Sequence, residues 1–187
     1  MSSIDEAFEK VNRKDFLPSE VASYWRSDAP LHIGYNQTNS QPSVVYVMLT
    51  WLNAQSGDKI LDLGSGSGWV TALLANIIGA KGHVYAVERI PELIDFGKEN
   101  CRRTGVKNVS FHQAGKELGL PEKAPYERIL VSAGSDYLPE VLLNQLKVGG
   151  KIVIPVGSDI LEINKISEDN IKTITHPGYI FVPLVEY

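Results

Sequence analysis

The sequence predicts an α/β fold: a doubly wound, mainly parallel sheet, with an antiparallel hairpin at its C-terminal end and a helical appendage at its N-terminal end. Three observations predict it. From residue 56 onward, short apolar runs alternate with helical patterns, as in repeated β-α units whose parallel sheet is covered on both faces. A glycine cluster, Gly64, Gly66 and Gly68, directly follows the first of these runs. Beyond Gly157 the texture changes to two-residue alternation over 161–166 and again over 171–175, with 167–170 as the turn, which is a hairpin signal. Right-handed crossovers make the parallel part doubly wound.

The elements follow in order. A helix is expected near 4–11, then a loop rich in turn residues over 28–42 whose polar middle, 34–42, reads as surface, then a helix over 43–52. Lys59–Leu63 is the first strand, and 70–78 (VTALLANII) is apolar nearly all round, as for a helix packed on a sheet. Residues 84–87 are β-branched and aromatic, hence strand. Pro91 suits a first helical turn, 92–103 continues as an amphipathic helix, and Gly105 is placed to cap it. Strands are expected at 109–112, 129–132 and 151–156, the last after a Gly149-Gly150 turn. The chain thus divides into a segment over 1–55 packed on an α/β core over 56–187, together one domain.

Composition narrows the function classes. The 187 residues are 43% hydrophobic and 21% charged, with a formal net charge of −4, which argues against a chain built to grip nucleic acid backbone. Lys10, Arg13 and Lys14 form only a small basic cluster, expected at a solvated helix end. No apolar run reaches the ~18 residues of a membrane span, and the N-terminal residues lack the pattern of a secretory signal. A single cysteine, Cys101, and four scattered histidines offer neither a disulfide nor a metal site. A cytoplasmic monomer without metal is the expectation.

The chemistry is carried by Asp62-Leu63-Gly64-Ser65-Gly66-Ser67-Gly68. Open doubly wound sheets bind ligands beyond the carboxyl ends of their strands, and glycines there let the backbone turn tightly and approach a ligand closely. A dinucleotide loop would need glycine where Trp69 stands, and the Gly-Lys-Ser/Thr ending of a phosphate-binding loop is absent. The acid-x-G-x-G-x-G spacing resembles motif I of S-adenosylmethionine-dependent methyltransferases. Glu88 closes the second strand about 20 residues on, where an acid accepts hydrogen bonds from ribose hydroxyls. The class I methyltransferase fold is what this resemblance implies.

A closer resemblance follows from the segment 30–42, PLHIGYNQTNSQP, which is similar to the loop P-L-x-I-G-x-x-Q-T-I-S-Q-P of protein-L-isoaspartate O-methyltransferases. Further similarity lies in Val87-Glu88-Arg89, in 124–129, in 143–157 and in the closing Phe181-Val182-Pro183-Leu184. The resemblance implies methyl transfer from S-adenosyl-L-methionine to the α-carboxylate of isoaspartyl residues in damaged proteins or peptides. Ser40 matches the family's active-site serine, with the role of orienting the carboxylate. A hydroxyl just ahead of an apolar helix also commonly caps it, so capping by Ser40 or Ser43 stands as the alternative. The cofactor is expected against Thr38, Asn39, Asp62, Gly64, Ser65, Gly66, Gly68, Glu88, Arg89, Ala114, Gly115 and Ser132.

The sequence departs from that family's pattern at the expected site. Ala114-Gly115-Lys116 stands where G-D-G is usual, removing an acid that meets the adenine, with Glu117 the nearest substitute. Asn39 replaces an apolar residue beside the serine, 132–136 replaces a small-residue stretch ending in Ala-Pro, and 157–164 is short. Two alternatives therefore stand beside the repair enzyme: a diverged S-adenosylmethionine-binding homologue with little turnover, and a methyltransferase of a small carboxylate or hydroxyl metabolite.

Overall fold

A computed structural model describes residues 2–185. Its main sheet has seven strands: β3 (Lys59–Leu63), β4 (His83–Glu88), β5 (Val109–Gln113), β6 (Tyr126–Val131), β7 (Leu146–Val156), β8 (Asp159–Ser167) and β9 (Asn170–Pro177), in the spatial order β5-β4-β3-β6-β7-β8-β9. The first five pair in parallel. The last three form an antiparallel meander, so the expected hairpin is present and is itself paired to the parallel part. Strand order reverses between β3 and β6, the place where an open α/β sheet opens a crevice at its carboxyl edge.

Alternation along each strand sends residues to two cores. Ile60 joins one with α1 (Ser3–Lys10), α2 (Pro42–Leu52) and α3 (Trp69–Ile78), whereas Leu61 and Leu63 join the other, with Tyr126, Leu142 and Leu146. Every residue of α3 but Asn76 is buried, which accounts for its apolar character on all sides. Helix α4 (Pro91–Arg103) has Pro91 in its first turn, and Gly105 takes φ +77° just past its end, as the sequence suggests. The short α5 (Glu140–Asn144) leads into β7. Residues 1–55 contribute Ala7, Val11, Phe16, Val45 and Leu52 to the first core. Burying Phe16 completely contributes about 1.5–3 kcal/mol to docking that segment. Among the described residues, no helix is long and apolar enough to cross a membrane.

Three expectations are corrected. Residues 28–42 are not simply loop, because β1 (Leu31–Gly34) and β2 (Gln37–Asn39) pair as an antiparallel ribbon. Its turn is made by Tyr35 and Asn36, both at positive φ, 55° and 58°, the conformation that a tight hairpin requires. Second, Gly149-Gly150 lies inside β7 and not in a turn before it. Pairing advances from 126 to 128 on β6 while β7 advances from 146 to 151, a bulge. A Cβ on Gly150 would lie 2.7 Å from the Lys147 carbonyl oxygen, so only glycine fits there. Third, Arg13 is 3% exposed; it belongs to the interior of the N-terminal segment, not to a solvated helix end.

Candidate active site

The glycine loop joins β3 to α3 and hangs on β4. The N–H groups of Gly64 and Ser65 both donate to the Val87 carbonyl, at 2.8 and 3.2 Å. The Glu88 carboxylate accepts from three backbone N–H groups: Gly66 at 3.0 Å through Oε2, Arg89 at 2.8 Å and Ile90 at 3.0 Å through Oε1. One side chain thus ties the loop to the start of α4. A carboxylate offers about four acceptor positions, so Glu88 retains capacity for a ligand hydroxyl.

Asp62 lies beneath the loop. Its Oδ2 accepts from the Thr71 hydroxyl at 2.6 Å, while Oδ1 has no partner. Complete burial pushes its carboxyl up to about 7; the Thr71 hydrogen bond opposes this and the charge of Glu88 adds to it. This acid is therefore a packed interior group in contact with α3, not a wall of the crevice.

The crevice itself opens at the carboxyl ends of β3, β4 and β6 and encloses about 850 Å³, mouth included. Thr38, Gly64, Gly66, Glu88, Arg89, Ala114, Gly115 and Ser132 line it, together with the apolar Leu63, Val87 and Leu118. Eight of the expected cofactor residues are therefore brought together. Asp62, Ser65, Gly68 and Asn39 are not on this wall. Ser65 is buried with an unpartnered hydroxyl. A Cβ at Gly68 would lie 3.0 Å from the Gly97 carbonyl oxygen, so that glycine serves the close approach of α3 to α4. Asn39 is 4% exposed and hydrogen-bonded within the protein.

Ser40 lines a second, adjoining crevice with Pro30, Gln41, Val44, Ile180 and Phe181. Thr38, Ser132, Val182 and Pro183 line both crevices, so the two share a wall. Helix capping does not occupy Ser40: the residue ahead of α2 is Gln41, without a side-chain cap, and the Ser43 N–H donates to Asp28 Oδ1 at 2.9 Å. Among the described residues nothing hydrogen-bonds the Ser40 hydroxyl.

The segment 181–185 is one part of the site that the sequence did not assign. Gly134 N–H donates to the Val182 carbonyl at 2.8 Å and Leu184 N–H to the Gly134 carbonyl at 2.7 Å, laying this segment along the chain after β6. Trp51, stacked on His176 with centroids 3.7 Å apart and edge-on to Tyr179, holds its approach against α2. The similarity at 181–184 was visible, but nothing local indicated that it returns to the strand tips. Glu162 stands behind this stack. Burial pulls its carboxyl upward, but Lys151 at 2.6 Å and His176 at 3.5 Å together hold it below the usual range.

A model of the protein-L-isoaspartate(D-aspartate) O-methyltransferase family matches residues 1–187. The chain belongs to this family. A protein-L-isoaspartate O-methyltransferase of Pyrococcus horikoshii is 43% identical over 97% of this chain and 84% of its own length, and that of Methanothrix thermoacetophila is 42% identical over 96% and 86%. A solved structure of the same name superposes with a TM-score of 0.89 at 28% identity, over 99% of this chain. The chain spans 62% of that protein's length. A Plasmodium falciparum structure assigned to the same methyltransferases, in complex with S-adenosyl-L-homocysteine, gives 0.88 at 24% identity over 100% and 92% and supports the fold.

Proposed function

We propose that this chain transfers a methyl group from S-adenosyl-L-methionine to the α-carboxylate of L-isoaspartyl residues in damaged proteins or peptides, and that Ser40 orients the acceptor. The observation that carries this reading is the shared wall: one crevice holds the glycine loop and Glu88, the other holds Ser40, and Thr38, Ser132, Val182 and Pro183 belong to both.

The residues present fit the cofactor. The crevice has apolar walls at Leu63, Val87 and Leu118 and an acid at the end of β4, the mix of apolar lining and a few placed polar groups that a small-molecule site uses. Glu88 and the loop it holds would receive the ribose side. The expected acid at Gly115 is missing, and a Cβ there would meet nothing within 4 Å. Glu117 lines the same crevice and is the acid available to the base. When bound, the cofactor supplies a methyl group on a positively charged sulfur.

The chain's own residues do the positioning. An α-carboxylate is ionised at neutral pH, so no general base is needed to create the nucleophile. The Ser40 hydroxyl donates to one carboxylate oxygen and leaves the other facing the shared wall. Val182 and Pro183 supply apolar surface to the partition between the two crevices. Holding donor and acceptor in adjoining crevices converts a bimolecular encounter into a local one. We read the chain as a cytoplasmic monomer with peptide or protein substrates and no nucleic acid partner.

Labelled methyl transfer to an isoaspartyl peptide and to its aspartyl twin tests the reading. Base-labile label is expected on the isoaspartyl peptide alone, and Ser40→Ala should lower kcat by about tenfold to a hundredfold, roughly 1.4–2.7 kcal/mol in the barrier. Equal labelling of both peptides would overturn it.

A further inference from the structure

We propose that Arg13, Asn39 and Ser67 form a positioning bridge that sets Ser40 against the glycine loop and so aligns the two crevices; the inference rests on the methyl-transfer reading above. The Arg13 guanidinium is the hub. Its Nε donates to Asn39 Oδ1 at 2.7 Å, one terminal nitrogen to the carbonyls of Trp25 and Ser27 at 3.4 and 2.9 Å, and the other to those of Ala29, Asn39 and Ser40 at 2.8, 3.2 and 2.9 Å. The carbonyl of Ser40 is thus held directly by a buried cation, and the chain from 25 to 40 is wound around it. The face of Trp69, the first residue of α3, lies 5.3 Å from the same guanidinium.

Asn39 passes this placement on. Its Nδ2 donates to Ser67 Oγ at 3.0 Å. Ser67 sits inside the glycine loop, and its carbonyl accepts from Asn100 Nδ2 on α4 at 3.0 Å. The neighbouring Gly66 N–H is the group that Glu88 holds. A continuous path therefore runs from the serine of one crevice to the acid of the other, and Arg13, Asn39 and Ser67 are absent from both walls. Their function is placement. A planar guanidinium with its donors in a fixed fork imposes geometry that an ammonium cannot. Misplacing reacting groups by about 1 Å costs on the order of a hundredfold in rate even when the altered residue is remote from them. The polar Asn39 side chain, accepting from Arg13 and donating to Ser67, is what lets the hub reach the loop.

The test uses Ser67→Ala, Asn39→Leu, Asn39→Asp and Arg13→Lys in the full chain. Four quantities are measured: kcat and KM for an isoaspartyl peptide, affinity for S-adenosylhomocysteine, and backbone amide exchange over 31–40 without ligand. Ser67→Ala, Asn39→Leu and Arg13→Lys should lower kcat about tenfold, while peptide KM and S-adenosylhomocysteine affinity stay within about twofold, and exchange over 31–40 should accelerate. Asn39→Asp, whose carboxylate can accept from both Arg13 and the Ser67 hydroxyl, should restore most of kcat and the slow exchange. Unchanged exchange in Ser67→Ala and Asn39→Leu overturns the bridge, as does a kcat loss that tracks the thermal midpoint and is not rescued by Asn39→Asp. If the unaltered protein labels no isoaspartyl peptide, the functional reading fails, and the exchange measurement alone still decides whether the bridge exists.

Discussion

The two sides of the site are held by opposite means. The glycine loop is fastened by an anion, Glu88, that gathers backbone N–H groups at 2.8–3.0 Å. The serine-bearing ribbon is fastened by a cation, Arg13, that gathers backbone carbonyls. Glu88 lies within two residues of two of its donors and belongs to a strand of the parallel sheet. Arg13 reaches partners 12 to 27 residues away and has no carboxylate within ion-pair distance among the described residues. The loop side inherits its shape from the sheet; the ribbon side inherits it from one side chain.

That contrast gives the largest expected effect to Arg13→Ala. It orphans carbonyls at Trp25, Ser27, Ala29 and Ser40, and leaving such groups unpaired should cost about 3–5 kcal/mol. Thermal unfolding should show a midpoint lower by roughly 10 °C for a domain of this size; a shift under about 2 °C would mean that the ribbon is held by something else. Glu88→Gln should be milder. The amide keeps one acceptor oxygen, so it holds either Gly66 or the start of α4 and no longer both, and S-adenosylhomocysteine affinity should fall about tenfold, roughly 1.4 kcal/mol. Titration calorimetry checks this, and unchanged affinity would separate Glu88 from the ligand.

Asp62 offers the smallest and most pH-dependent effect. Its folded carboxyl is raised to about 7 from an ordinary 3.8, so the folded state binds the proton more tightly than the unfolded one. Stability from this group is therefore lost as pH rises from about 4 to 7, and the full penalty is present above that. Asp62→Asn should raise the thermal midpoint at pH 8 by a few degrees, on the order of 1 kcal/mol, and change nothing near pH 4. An equal shift at both values would show that packing, not ionisation, is responsible.

Legibility in the sequence follows the same division. Strand β3, helices α3 and α4 and the β8–β9 hairpin were readable because their periodicity and punctuation are local, and Glu88 was readable because its spacing from the glycines is. The ribbon was not, since a tight turn through Tyr35-Asn36 at positive φ interrupts a polar segment too short to show alternation. Arg13 was read as solvated because its partners, the Asn39 side chain apart, are backbone carbonyls, which leave no mark in the identities of the residues that bear them. The bulge at Gly149-Gly150 resembled a turn for a related reason: glycine reports a backbone need without saying which. Asp62 matched the motif and yet faces the interior, because its spacing fixes the loop and not the side chain's direction.

The common partition has a consequence for how the acceptor preference of such an enzyme can change. A substitution at Thr38, Ser132, Val182 or Pro183 is felt by donor and acceptor alike, so selection on one drags the other. Pro30, Gln41, Val44, Ile180 and Phe181 touch only the acceptor side, and Ile180 projects 95% exposed at its mouth. Retuning for a different damaged segment therefore has a short menu, and Ile180 is where an engineer or a lineage would begin.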